Sequence, residues 1–222
     1  MATPSTPLTH FPELTPMVFD DGMRVVLIEH PFPPSKVVLH LAVSVGSVDE
    51  SNAEQGLAHF LEHCVFLSTS KFPTVESMRK EMTDLCMDTG ADSNAYTDSR
   101  KTVYISSAPS NSLSRALVLL REICLKSELK DSDGLETERA AVLSEAAMRR
   151  TVGARVEMAE QAQIHCETIL PRRFPIGREY LIRKWKAQEC INFYRKHYIP
   201  SNMTLYVAGD VSKADALVAL KE

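Results

Sequence analysis

The chain has 222 residues, 44% of them hydrophobic and 24% charged, which is enough for one large domain with its own core. Its formal net charge of −4 points away from nucleic acid and from anionic membrane surfaces as partners. No apolar run approaches the roughly 18 residues needed to span a bilayer. The five cysteines (Cys64, Cys86, Cys124, Cys166 and Cys190) are odd in number and scattered, which argues against a disulfide framework.

These exclusions leave a soluble globular protein of a reducing compartment. That means the cytoplasm, or an organelle stroma or matrix if a targeting segment has been removed. The N-terminus lacks the basic and apolar regions of a signal peptide, and the first basic residue is Arg24. With Pro4, Pro7, Pro12 and Pro16 in it, the stretch 1–19 reads as a flexible lead-in, and 20–222 as a single unit.

Met23–His30 and Val37–Gly46 are apolar, β-branched runs separated by Pro31, Pro33 and Pro34, and read as two strands. A polar loop, Gly46–Gln55, leads into the helical stretch Gly56–Leu67. Pro73 and Thr74 then open a second helix, and Gly90 closes that region. Ala91–Ser107 reads as strand material. Ser112–Lys126 is an amphipathic helix, with Leu113, Leu117, Leu120 and Cys124 on one face. A long helical stretch runs from about Leu135 to Leu170, interrupted at Gly153. Pro171–Gly177 is a loop, and Ala187–Tyr198 is a helix that stops before Pro200. Met203–Gly209 is a strand, and Ser212 starts a last helix. With strands early and late and helices between them, the expected class is α+β, a mostly antiparallel sheet with helices packed on one face. The basic segment from Arg172 through Arg173, Arg178, Arg183, Lys184 and Lys186 to Lys196 reads as a solvated helix and loop face rather than a nucleic-acid surface.

The stretch Gly56–Leu67 carries the chemistry. On a helix, His59 and His63 fall about 40° apart on one face, and Glu62 lies about 60° to the other side of His59. Every other direction is apolar. An all-round apolar helix is normally buried, and buried ionisable groups need partners or a metal. Two imidazoles at i, i+4 reach one zinc ion, and the adjacent carboxylate can take a proton from the attacking water. The order His-x-x-Glu-His is the inverted form of the usual zinc-peptidase helix. Cys64 faces away from this stripe and reads as a core residue. Zinc needs a third protein ligand. His10, His30, His40, His165 and His197 each stand alone, so the better candidates lie in Glu138–Glu145 (ERAAVLSE). Glu138 and Glu145 share a helix face about 10 Å from each other, so only one can ligate. Between them, Ala141 and Val142 offer a small apolar surface to pack against the metal helix.

Four blocks, in order, resemble the pitrilysin/insulysin family of zinc peptidases, which includes the mitochondrial and stromal processing peptidases. Gly56–Thr69 resembles that family's metal helix and its exit. Asn94-Ala95-Tyr96-Thr97 resembles its substrate-binding edge strand. Glu138–Glu145 resembles its third-ligand helix, and Arg173–Gly209 its closing segment. The resemblance implies one zinc per chain held by His59, His63 and Glu145. It makes Glu62 the catalytic base and Glu138 a supporting carboxylate, with Asn94, Ala95, Tyr96 and Thr97 contacting substrate. It also implies a zinc-dependent endopeptidase unit acting on short or unfolded polypeptides. Family members are built from four related units, and no residues here match the Arg and Tyr that the distant half supplies. Downstream units or a homologous subunit are therefore expected as partners. The competing reading is a non-catalytic binding subunit of a processing complex.

Overall fold

The computed structural model describes residues 14–221, so residues 1–13 of the expected lead-in lie outside it. Six strands form one sheet: β1 (Leu14–Val18), β2 (Arg24–Glu29), β3 (Lys36–Val43), β4 (Ser93–Thr97), β5 (Thr102–Pro109) and β6 (Met203–Gly209). Their order is β1-β2-β6-β3-β5-β4. Every pair is antiparallel except β2–β6. Two-residue periodicity builds the sheet's inner face. In β3, Val37, Leu39, Leu41 and Val43 are buried while the residues between them are only half-covered. Leu39 pairs with Val207 and Leu41 with Leu205, and Leu205 in turn pairs with Val25, so the register places apolar side chains on one side across three strands.

One strand departs from the sequence expectations. β1 forms inside the stretch read as a lead-in. Pro16 does not prevent it, because β1 is an edge strand and its pairing partner lies on one side only. The stretch Ala91–Ser107, expected as strand material, divides into β4 and most of β5. The Asp98 carboxylate accepts from the N–H groups of Arg100 (2.7 Å) and Lys101 (2.8 Å), folding the chain into the β4–β5 hairpin.

Eight α-helices complete the described residues: α1 (Leu57–Cys64), α2 (Val75–Asp84), α3 (Leu113–Leu125), α4 (Asp133–Met148), α5 (Val152–Ile164), α6 (Glu179–Ile182), α7 (Ala187–His197) and α8 (Lys213–Ala219). Thr74 caps α2 and Ser212 caps α8, each accepting a backbone N–H with its hydroxyl. The long helical stretch breaks at Arg149–Thr151, where Thr151 caps α5. Gly153 lies inside α5, so the interruption falls just before the residue expected to cause it. α1 sits at the centre of the molecule, with Leu57, Ala58, Phe60, Leu61 and Cys64 essentially inaccessible. Trp185 stacks on the Phe60 ring, and the Arg139 guanidinium also lies over it.

Candidate metal centre and active site

The start of α1 is held by a residue that no motif marks. The Glu50 carboxylate accepts from the Gly56 N–H and the Ala58 N–H, both at 2.9 Å, and so covers the helix N-terminus. Burial pushes the Glu50 carboxyl up to about 8, against the pull of those two donors and of Arg173. Arg173 is itself buried. Its Nε donates to the Glu50 carbonyl (3.2 Å) and its Nη2 to Asn52 Oδ1 (2.8 Å), and its own carbonyl accepts from Ser47 Oγ (2.5 Å). The basic segment is therefore not uniformly solvated, because Arg173 ties the 173–178 loop to the entry of the metal helix.

α4 runs beside α1 and brings both candidate carboxylates to one imidazole. Glu138 Oε2 lies 3.0 Å from His63 Nδ1, and Glu145 Oε2 lies 3.9 Å from His63 Nε2. Glu145 Oε2 is also 3.3 Å from His59 Nε2, while its Oε1 accepts from Arg149 at 2.6 Å. Of the two residues between them, Val142 packs into the core as expected, but Ala141 is exposed. One donor atom from each of His59, His63 and Glu145 lies within 4.8 Å of the others. The His59 and Glu145 donors stand farther apart than a good hydrogen bond, at a spacing that suits ligands about 2.0–2.2 Å from a shared tetrahedral zinc ion. Burial pushes His59 down to about 4, with Glu145 pulling the other way, so the ring is neutral and free to ligate. Burial also lowers His63, but its hydrogen bond to Glu138 and the neighbouring carboxylates outweigh that and hold it above the usual histidine value. On these grounds the donor set fits zinc.

Glu62 points to the same side as the two histidines and is nearly buried. Burial raises its carboxyl above the ordinary range, opposed by the hydroxyl of Thr97. Glu62, the two histidines, Glu145 and Arg149 line a cleft of about 310 Å³, whose other walls are β4 and the Pro175–Ile176 tip of the anchored loop. The cleft continues past Thr97, Arg149 and Ile176 into a cavity of about 620 Å³. All four β4 residues picked from the sequence border the cleft. Their side chains divide, with Ala95 and Thr97 half-buried and Asn94 and Tyr96 exposed.

A family model described as "Insulinase (Peptidase family M16)" matches residues 24–165. The chain belongs to this family. A second model, "Peptidase M16 inactive domain", matches residues 184–222. The chain is 36% identical over 214 residues to the chloroplastic stromal processing peptidase of Pisum sativum, covering 94% of this chain and 16% of that protein. It is 29% identical to the probable zinc protease PqqL of Escherichia coli, covering 91% of this chain and 22% of that protein. The first half of the periplasmic protease PqqL from Escherichia coli superposes with a TM-score of 0.89 at 27% identity, over 94% of this chain and 45% of that one. The ferredoxin protease FusC, solved with Arabidopsis ferredoxin, gives 0.87 at 31% identity, over 95% of this chain and 23% of that one. This insulinase-family chain thus spans less than a quarter of the length of these curated relatives. Its sheet and helices are those of a pitrilysin-family protease unit.

Glu50, Arg173 and Arg149 were missed in the sequence. Arg149 carried a usable signal, since it stands four residues after Glu145 on one helix face. Glu50 carried none, because it stands six and eight residues before the N–H groups it covers, outside any capping motif. Arg173 carried none, because Glu50 and Asn52 lie across a long sequence separation.

Proposed function

We propose that this chain is the zinc-bearing unit of a metalloendopeptidase that hydrolyses peptide bonds in short or unfolded polypeptides. The observation that carries the reading is the convergence of His59, His63 and Glu145 beside Glu62 in a cleft walled by β4, whose outer edge is open from Ala95 to Thr97 among the described residues. Zinc bound there would polarise the scissile carbonyl and make water acidic enough to deprotonate near neutral pH. Glu62 would take that proton and return it to the leaving amine. Glu138 would hold the His63 ring through Nδ1, leaving Nε2 for the metal.

The substrate would bind as an added strand on β4. Asp92 O accepts from Ser107 N–H, and Asp98 N–H donates to Lys101 O, so the even-numbered residues direct their backbone groups toward β5. The backbone groups of Ala95 and Thr97 then face the open edge. There, among the described residues, the Ala95 N–H is covered only by the Asn94 side chain at 2.8 Å, a contact that an incoming carbonyl can replace. A non-catalytic binding subunit would have no use for the base beside the donor set, so the peptidase reading is preferred. Downstream units of the same chain, or a homologous subunit, would close the cleft and supply further donors to the substrate. The five free cysteines support a reducing compartment. Among the described residues no helix is long and apolar enough to cross a membrane.

Glu62→Gln in the full-length protein tests the assignment. Zinc content should be unchanged and turnover of an unstructured fluorogenic peptide should fall by about 10²–10⁴-fold. Wild-type turnover in that variant would remove Glu62 from the chemistry.

A further inference from the structure

The Thr97 side chain is turned onto Glu62 rather than out toward the strand edge. Its Oγ1 lies 2.5 Å from Glu62 Oε2, and no other hydrogen-bond partner of that carboxylate is present among the described residues. An ionised carboxylate only accepts, so Thr97 donates its single hydroxyl proton. The side chain is packed from behind. Thr97 pairs directly across the hairpin with Thr102, and the two hydroxyl oxygens are 3.3 Å apart. Thr102 is fully buried and donates to the Val45 carbonyl at 3.0 Å, which commits its own proton elsewhere. A β-branched side chain opposite another β-branched side chain has little rotational freedom. With both hydroxyl protons committed, the 3.3 Å approach of the two oxygens is a packing contact and not a hydrogen bond. Strand pairing and β-branching hold the Thr97 side chain in place, and its hydroxyl in turn holds Glu62.

We propose that Thr97 is a positioning residue for the general base. Its hydroxyl holds Glu62 by Oε2 and leaves Oε1 as the oxygen that takes the proton. Thr97 then has two separate roles, its backbone at the strand edge and its hydroxyl on the base. The inference rests on the reading of Glu62 as the base. It goes beyond that reading by assigning the hydroxyl to the enzyme's own carboxylate and not to substrate.

The test uses the full-length protein with Thr97→Val, Thr97→Ala, Thr97→Ser and Glu62→Gln, measuring zinc content, KM and kcat on an unstructured fluorogenic peptide. Thr97→Val and Thr97→Ala should keep their zinc and hold KM within about twofold. Both should lose kcat on the order of 10- to 100-fold, as expected when a catalytic group is left misplaced. Thr97→Ser, which restores the donor, should recover most of kcat. In a Glu62→Gln background, Thr97→Val should lower turnover no further, because the group it positions is gone. The inference is overturned by wild-type kcat in both Thr97→Val and Thr97→Ala, by a loss confined to KM or zinc content, or by Thr97→Ser performing as poorly as Thr97→Ala. An inactive Glu62→Gln beside a fully active Thr97→Val would remove this inference alone, whereas an active Glu62→Gln would remove the base assignment beneath it.

Discussion

Gly56 and Gly177 meet backbone to backbone: a Cβ built on Gly177 would lie 2.2 Å from the Gly56 Cα and 2.4 Å from the Gln55 carbonyl oxygen. Both residues have positive φ, +100° at Gly56 and +71° at Gly177. This contact seats the 173–178 loop against the first turn of the metal helix, next to the Glu50–Arg173 anchor. Gly177→Ala should therefore destabilise the protein by about 2 kcal/mol or more, through the clash and the left-handed backbone together. In a domain of this size that lowers the melting temperature by roughly 4–8 °C. Gly153→Ala is the contrasting case. It lies inside α5, its Cβ would meet only Thr151 Oγ1 at 3.8 Å, and it should gain roughly 0.5–1 kcal/mol from helix propensity. Thermal melts of the two variants beside wild type check both signs.

The two carboxylates on α4 should separate in a chelator competition assay. Glu145 approaches Nε2 of both histidines, whereas Glu138 approaches His63 through Nδ1 alone. Wild type should hold about one zinc per chain. His63→Ala should lose it, and His165→Ala should keep it. Glu145→Gln should weaken zinc binding severely, and Glu138→Gln by about 10- to 100-fold, as for a residue that orients a ligand. The reverse ranking would transfer the third ligand to Glu138.

His197 sets a pH response away from the metal. Its Nε2 is buried without a hydrogen-bond partner, and its ring packs against Phe193 at 4.5 Å between centroids. Burial, with Lys196 beside it, holds the ring below the ordinary 6.5. Above that value both folded and unfolded chains carry a neutral ring, and the full stability is present. As the pH falls through 6.5 the unfolded chain takes up the proton first, so stability drops until the folded ring is protonated as well. The zinc-loaded wild type should thus melt at a lower temperature at pH 5.5 than at pH 7.5. His197→Phe should show a shallower decline over the same interval. An unchanged slope in His197→Phe would show that other groups, such as the similarly lowered His40, carry the effect.

Helix α1 was legible in the sequence because its signal is local. Residues four apart lie one turn apart whatever surrounds them, so the shared face of His59, Glu62 and His63 follows from their spacing. The same holds for β2, β3 and β6, whose two-residue alternation marks an inner face. It also holds for the caps at Thr74 and Ser212, whose hydroxyls bond three residues ahead. Contacts between distant segments leave no such trace. Glu138 and Glu145 share one helix face, and only the packing of α4 along α1 brings Glu138 to Nδ1 and Glu145 to Nε2 of one ring. Only the family resemblance marked Thr97 as one of four edge-strand residues, and only the hairpin folded at Asp98 turned its hydroxyl onto Glu62. Glu50 and Arg173, 123 residues apart, look like ordinary surface charges until the fold buries both at the start of α1, with the guanidinium on the Glu50 main-chain carbonyl. In each case the choice of partner is made by desolvation. A polar group withdrawn from water must find a partner near it in space, and the distance between the two along the chain has no part in that choice.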